Sequence, residues 1–136
     1  MRRFVFTAAL SAALACLSLP LRAENLTAMA PFDFYVDKAV LPAGDYRVEI
    51  GERGLIAVRN QLGKGAAAVI TLPAERKASR TEGLLVFNKI GDEYFLNQVW
   101  VPDSLTGCKL RPSAREKEAY ARASRMTVAS VPARHE

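Results

Sequence analysis

The chain has 136 residues, 50% of them hydrophobic and 24% charged, with a formal net charge of +5. That length leaves room for one domain, not several, and the apolar share excludes a wholly disordered chain. One histidine, His135, and two cysteines, Cys16 and Cys108, fall short of the usual metalloenzyme ligand sets. Neither a nucleotide-binding glycine motif nor a nucleophile elbow is present.

Met1-Arg2-Arg3 is a short basic opening, and Phe4 to Leu19 carries no charge. Pro20 breaks the run, and Leu21-Arg22-Ala23 ends in a small residue before Glu24. A basic start, an apolar stretch and a small residue at the cut predict a secretory signal peptide over residues 1–23, cleaved after Ala23. The apolar stretch is shorter than the roughly 20 residues that span a bilayer, which weighs against an uncleaved anchor. Cys16 offers a minor alternative, a lipoprotein cut before a lipidated cysteine. An apolar segment, Leu17 to Leu21, follows it where a polar tether is expected. Cleavage after Ala23 removes three arginines and no acid, so most of the basic balance belongs to the leader. It also leaves Cys108 as the one cysteine, with no internal disulfide to make.

An antiparallel β domain is expected over residues 24–110. Phe32 to Val36 is the first strand, with Pro31 at its start. Leu41-Pro42-Ala43-Gly44-Asp45 is a turn, and Tyr46-Arg47-Val48-Glu49-Ile50 alternates apolar against charged, as a strand with one wet face does. Gly51 to Gly54 separates it from Leu55–Asn60, and Gly63-Lys64-Gly65 precedes the apolar run from Ala66 to Leu72. Such short intervals favour antiparallel neighbours, because a parallel crossover needs a dozen residues or more. Pro73 to Glu82 is polar and basic and reads as a solvated loop or a short irregular helix. Leu84–Ile90 and Tyr94–Val101 flank Gly91-Asp92-Glu93, the strongest hairpin signal in the chain. About six strands result, arranged as a small antiparallel sandwich or partly closed barrel.

A basic helix is expected over residues 111–126, where Ser113 and Glu116 have the spacing of a capping box and Glu118 and Arg122 that of a favourable i,i+4 pair. Its candidate apolar stripe is Ala119, Tyr120 and Ala123. Residues 127–136 show no regular pattern and are expected to fray.

Phe32-Asp33-Phe34, Leu41 to Tyr46, Gly91-Asp92-Glu93-Tyr94-Phe95-Leu96 and Trp100 occur in one order. Together they resemble a group of small exported proteins found in many copies in soil bacteria. Members carry a signal peptide, a Leu-Pro-Ala-Gly-x-Tyr turn, a Gly-Asp-x-Tyr-Phe-Leu hairpin, a Trp and a charged C-terminal helix. The resemblance covers about residues 29–124. It implies export and a single domain, and it carries over no functional residue.

The candidate binding surface is Tyr94, Gln98 and Trp100, which share one parity of a strand; facing outward, the aromatic rings suit stacking on sugars or a partner. Lys109, Arg111, Arg115, Arg122 and Arg125 are candidate contacts for an anionic partner. The adjacent carboxylates Asp92 and Glu93 read as a solvated turn, since neighbouring strand residues point to opposite faces. Lys109 beside Cys108 favours a thiolate, but the body supplies no histidine as base. No cofactor or metal is expected. The resulting expectation is an exported, periplasmic or secreted non-enzymatic module. It binds or scaffolds an envelope polymer, an anionic surface or another exported protein, and not nucleic acid. Two alternatives stand beside it: a small hydrolase or isomerase using carboxylates, and an enzyme inhibitor that inserts the Pro73–Glu82 loop.

Overall fold

A computed structural model describes residues 24–136. The expected leader, with its cut at Ala23 and the alternative lipidation at Cys16, lies outside the described residues. Eleven strands and one α-helix follow in chain order, with a single 3-10 turn at Glu52–Gly54: β1 (Glu24–Ala30), β2 (Phe34–Val36), β3 (Ala39–Leu41), β4 (Gly44–Ile50), β5 (Leu55–Asn60), β6 (Ala66–Ile70), β7 (Leu72–Glu75), β8 (Gly83–Ile90), β9 (Glu93–Trp100), β10 (Thr106–Lys109), α1 (Ala114–Ala123) and β11 (Met126–His135).

The strands form one sheet in the order β3-β2-β9-β8-β11-β1-β4-β5-β6. β6 continues through Thr71 into β7, which pairs with β10, and β10 returns to β9. The sheet therefore comes round on itself as a nearly closed barrel. The bend at Thr71 is held on Gly54, whose carbonyl accepts both the Thr71 N–H at 2.8 Å and its hydroxyl at 2.7 Å. Gly54 has φ +77°, and a Cβ there would lie 2.5 Å from the Thr71 carbonyl oxygen. Only glycine suits that position. One parallel contact, Tyr35 beside Phe95, interrupts the antiparallel pattern.

The period-two pattern decides what fills the barrel. Tyr46 and Val48 of β4 and Ile56 and Val58 of β5 are fully buried, while Arg47, Glu49 and Arg59 stay outside. Leu26, Leu85, Phe87 and Val99 complete the interior from the other wall. Phe34 meets Tyr46 and Phe87 edge-on at 5.0 and 5.2 Å, the arrangement that suits the charge distribution of aromatic rings. The interior is a side-chain core.

Four expectations are corrected. Eleven strands replace about six, because β1, β3, β7, β10 and β11 were not expected as strands. The first of these reads Glu-Asn-Leu-Thr-Ala-Met-Ala, and it buries Leu26, Ala28 and Ala30 on alternate positions. Alanine is a weak strand former, so the alternation carries little propensity signal. The Pro73–Glu82 loop begins as β7 and is pinned at Arg76. Its guanidinium donates to the Ser104 and Val101 carbonyls at 2.8 and 3.0 Å.

The third correction is the largest. Residues 127–136 were expected to fray, yet β11 pairs with β8 from Met126 to Ala133 and with β1 from Ala133 to His135. It buries Val131 and Ala133 at alternate positions. Pro132 hid it from the sequence, since proline argues against a central strand. The β1–β11 ladder ends at Ala133, so the proline nitrogen, which has no hydrogen, is not asked to extend it. Finally, the helix runs from Ala114 to Ala123, shorter than 111–126. Ser113 caps its start, and Ser124, in the left-handed conformation at φ 53°, ends it.

Candidate functional site

The Gly91-Asp92 turn forms the expected hairpin, pairing Ile90 with Glu93 and carrying Gly91 at φ +60°. Beyond Leu96 the pairing shifts by one residue, because Phe87 faces Leu96 while Val86 faces Gln98. Asn97 is the extra residue of a β-bulge. Bulging reverses the parity of everything after it. Leu96 and Val99 both belong to the barrel core, and Tyr94 packs against it, whereas Phe95 packs outside with Ile90 and Ala119.

That reversal dissolves the candidate surface of Tyr94, Gln98 and Trp100. Tyr94 turns inward and stacks on Phe32 at 3.7 Å. Gln98 and Trp100 lie on the other face, where the Gln98 carbonyl accepts the Trp100 indole N–H at 2.8 Å. Trp100 is 8% exposed, with the Arg76 guanidinium 5.4 Å from its ring centroid and Gly107 of β10 close against the indole. No face of that ring is open for stacking on a sugar.

The basic residues do not form one patch. Arg115 is committed to Glu93, with its Nη2 2.8 Å from Oε1, and lies 4.8 Å over the Tyr35 ring. Its carboxylate partner holds the guanidinium pKa above its ordinary value. Arg122 lies beside the hairpin turn with Asp92, Arg125 sits near Lys89, and Arg111 is exposed. Lys109 alone of the five borders a sizeable apolar groove.

That groove runs between α1 and the outer wall of the barrel and has a volume of about 490 Å³. Ile90, Pro112, Tyr120 and Met126 give it an apolar lining. Ser113 sets the register of the helix above it, its hydroxyl accepting the Glu116 N–H at 3.2 Å. Glu116 does not complete the capping box. Its carboxylate turns to the barrel and accepts the Asn88 amide at 3.0 Å. Asn88 and Glu116 are 9% and 8% exposed, a buried polar pair under an otherwise light helix. Glu116 and Ala119, three apart, thus form the docking face of α1. Asn97 adds an amide from the bulge, and Lys109 and Lys117, both exposed, stand at the rim. The Asn97 carbonyl accepts the Leu110 N–H at 2.7 Å, which fixes the strand that brings Lys109 alongside.

Asn88, Asn97, Ile90 and Met126 were not singled out from the sequence, and Glu116 only as a cap. The available signal was the two asparagines, each directly following an apolar run in its strand. Elsewhere, Cys108 is a half-buried free thiol on β10. Asp92 is exposed on the turn. Among the described residues, no three His, Cys, Asp or Glu side chains gather as metal ligands, and no helix is long and apolar enough to cross a membrane. Compared with known proteins, the chain matches no family model, no curated protein and no solved structure.

Proposed function

We propose that the chain is an exported binding module of the cell envelope and that the groove beneath α1 is its ligand seat. The observation that carries this reading is the groove itself. It is a concave, mostly apolar space with a few convergent polar groups, the usual make-up of a small-molecule site. The barrel interior is filled with side chains, so the space for a ligand is outside the wall. The buried Asn88–Glu116 pair holds the roof at a fixed height over the sheet, which favours a preformed site. Export rests on the leader motif and on the resemblance to small exported bacterial proteins.

The enzyme alternative is less well supported. Its carboxylates lie on an open turn, with Asp92 exposed and Glu93 paired to Arg115. A loop-inserting inhibitor is also less well supported, since the start of its loop is a paired strand and Arg76 anchors the next residue.

Fractionation of native cells with sequencing of the recovered N-terminus tests the export half. Protein beginning at Glu24 outside the cytoplasm is expected, and intact Met1 in the cytosol would contradict it. For the binding half, an anilinonaphthalene dye is expected to brighten with the native protein. Met126→Arg, which places a charge in the groove, should abolish the signal with the fold intact. An equal signal from that variant would move the site elsewhere.

A further inference from the structure

The charges around the groove are distributed unevenly with depth. At its floor the one carboxylate, Glu116, is buried and already accepts a hydrogen bond from Asn88. At its rim stand two ammonium groups, Lys109 from β10 and Lys117 from the helix, and both are exposed. Lys117 is adjacent in sequence to the buried Glu116, so fixing Glu116 against Asn88 also fixes where the Lys117 backbone sits. Lys109 is held opposite by the β10 ladder with Gln98 of β9. Apart from the Asn97 amide and the Tyr120 hydroxyl, the remaining lining is apolar.

Resting on the groove reading above, we propose that the ligand is a small amphipathic carboxylate, a medium-chain fatty acid or an acid of like shape. Its hydrocarbon body lies along Ile90, Met126 and Tyr120, and its carboxylate reaches the two rim lysines. Each feature selects against a different competitor. A sugar finds one aromatic platform, Tyr120, and few fixed donors. An amphipathic cation meets two like charges at the mouth, and its one possible partner, Glu116, is already hydrogen-bonded below. A neutral alcohol fills the apolar part but gains nothing from the lysines. The ammonium groups are exposed, so their contribution is to selectivity and on-rate, and it weakens with salt.

Three ligands with one ten-carbon chain separate these cases: decanoate and decylamine, each kept below its micellar concentration, and decanol, kept below its solubility limit. They are titrated into ¹⁵N-labelled protein, and amide shifts are followed at Ile90, Asn97 and Tyr120. Decanoate is expected to bind about tenfold more tightly than decanol and more tightly still than decylamine. Lys109→Gln with Lys117→Gln, two exposed positions, should erase the preference over decanol while leaving shifts elsewhere unchanged. Equal binding of all three, or a preference for decanoate that survives the double variant, would overturn the carboxylate and leave the groove standing. No groove shift with any of the three would overturn the groove as well.

Discussion

The Asn88 amide donates to the Glu116 carboxylate at 3.0 Å across 28 residues of sequence, and both side chains are nearly excluded from solvent. This contact joins the barrel to α1, the only α-helix among the described residues. Removing either partner strands the other in a buried place, which costs about 1–3 kcal/mol. Glu116→Ala and Asn88→Ala should each lower the unfolding free energy by that order. The pair replaced together by alanines should lose less than the sum of the two. Urea unfolding of the four proteins as a double-mutant cycle measures the coupling. Additive losses would show that the contact contributes nothing of its own.

Trp100 reports on the wall of the barrel. Gly107 lies opposite it on β10, and a Cβ there would approach the indole at 2.5 Å and the Val99 carbonyl at 2.6 Å. Neither a large packed ring nor a ladder carbonyl gives way easily. Gly107→Ala is therefore expected to destabilise by about 1–3 kcal/mol, as overpacked sites do. The same variant should red-shift the tryptophan emission as the ring loosens. An unchanged midpoint with unchanged emission would count against the close approach.

The last eleven residues, 126–136, are structural. β11 lies between β8 and β1, so a chain stopped after Arg125 loses the strand that joins the two halves of the barrel wall. Glu136 adds a terminal fastening, its backbone N–H donating to the Asn25 carbonyl at 3.1 Å and its carboxylate lying 3.0 Å from Arg47. The truncated protein is expected to show no cooperative thermal transition by circular dichroism. A sharp transition within a few degrees of the full chain would refute this placement.

Tyr46 gives the fold a dependence on alkaline pH. Its ring is buried, and loss of solvation raises its hydroxyl pKa above the ordinary value near 10; the Asn60 side chain opposes this and the Asp33 charge adds to it. The unfolded chain gives up this proton first. Unfolding free energy should hold steady below about pH 10 and fall as pH rises through the folded-state value. Tyr46→Phe should flatten that decline while losing the hydrogen bond from the hydroxyl to the Pro42 carbonyl. An equally steep decline in both proteins would assign it to other groups.

The elements readable in the sequence are those whose side chains alternate strongly. β4 and β5, with large apolar residues set against charges, are clear, and so is the β8–β9 hairpin with its Gly-Asp turn. β1 and β11 were hidden because alanines share their inward positions with a single larger residue each, Leu26 and Val131, and Pro132 interrupts β11. The candidate site was missed for a different reason. One extra residue, Asn97, reverses the faces of β9, and simple counting by twos from Tyr94 to Trp100 cannot register it. The helix start at Ser113 was legible, but its use of Glu116 as a tether to the barrel depends on a partner 28 positions away.

The most direct trial of the account is an amide and indole ¹H–¹⁵N titration of the intact protein with decanoate. It predicts saturable shifts at Ile90, Asn97, Tyr120 and Met126, with the Trp100 indole signal unmoved. A moving indole beside a silent groove would return the binding surface to the tryptophan strand and contradict the site described above.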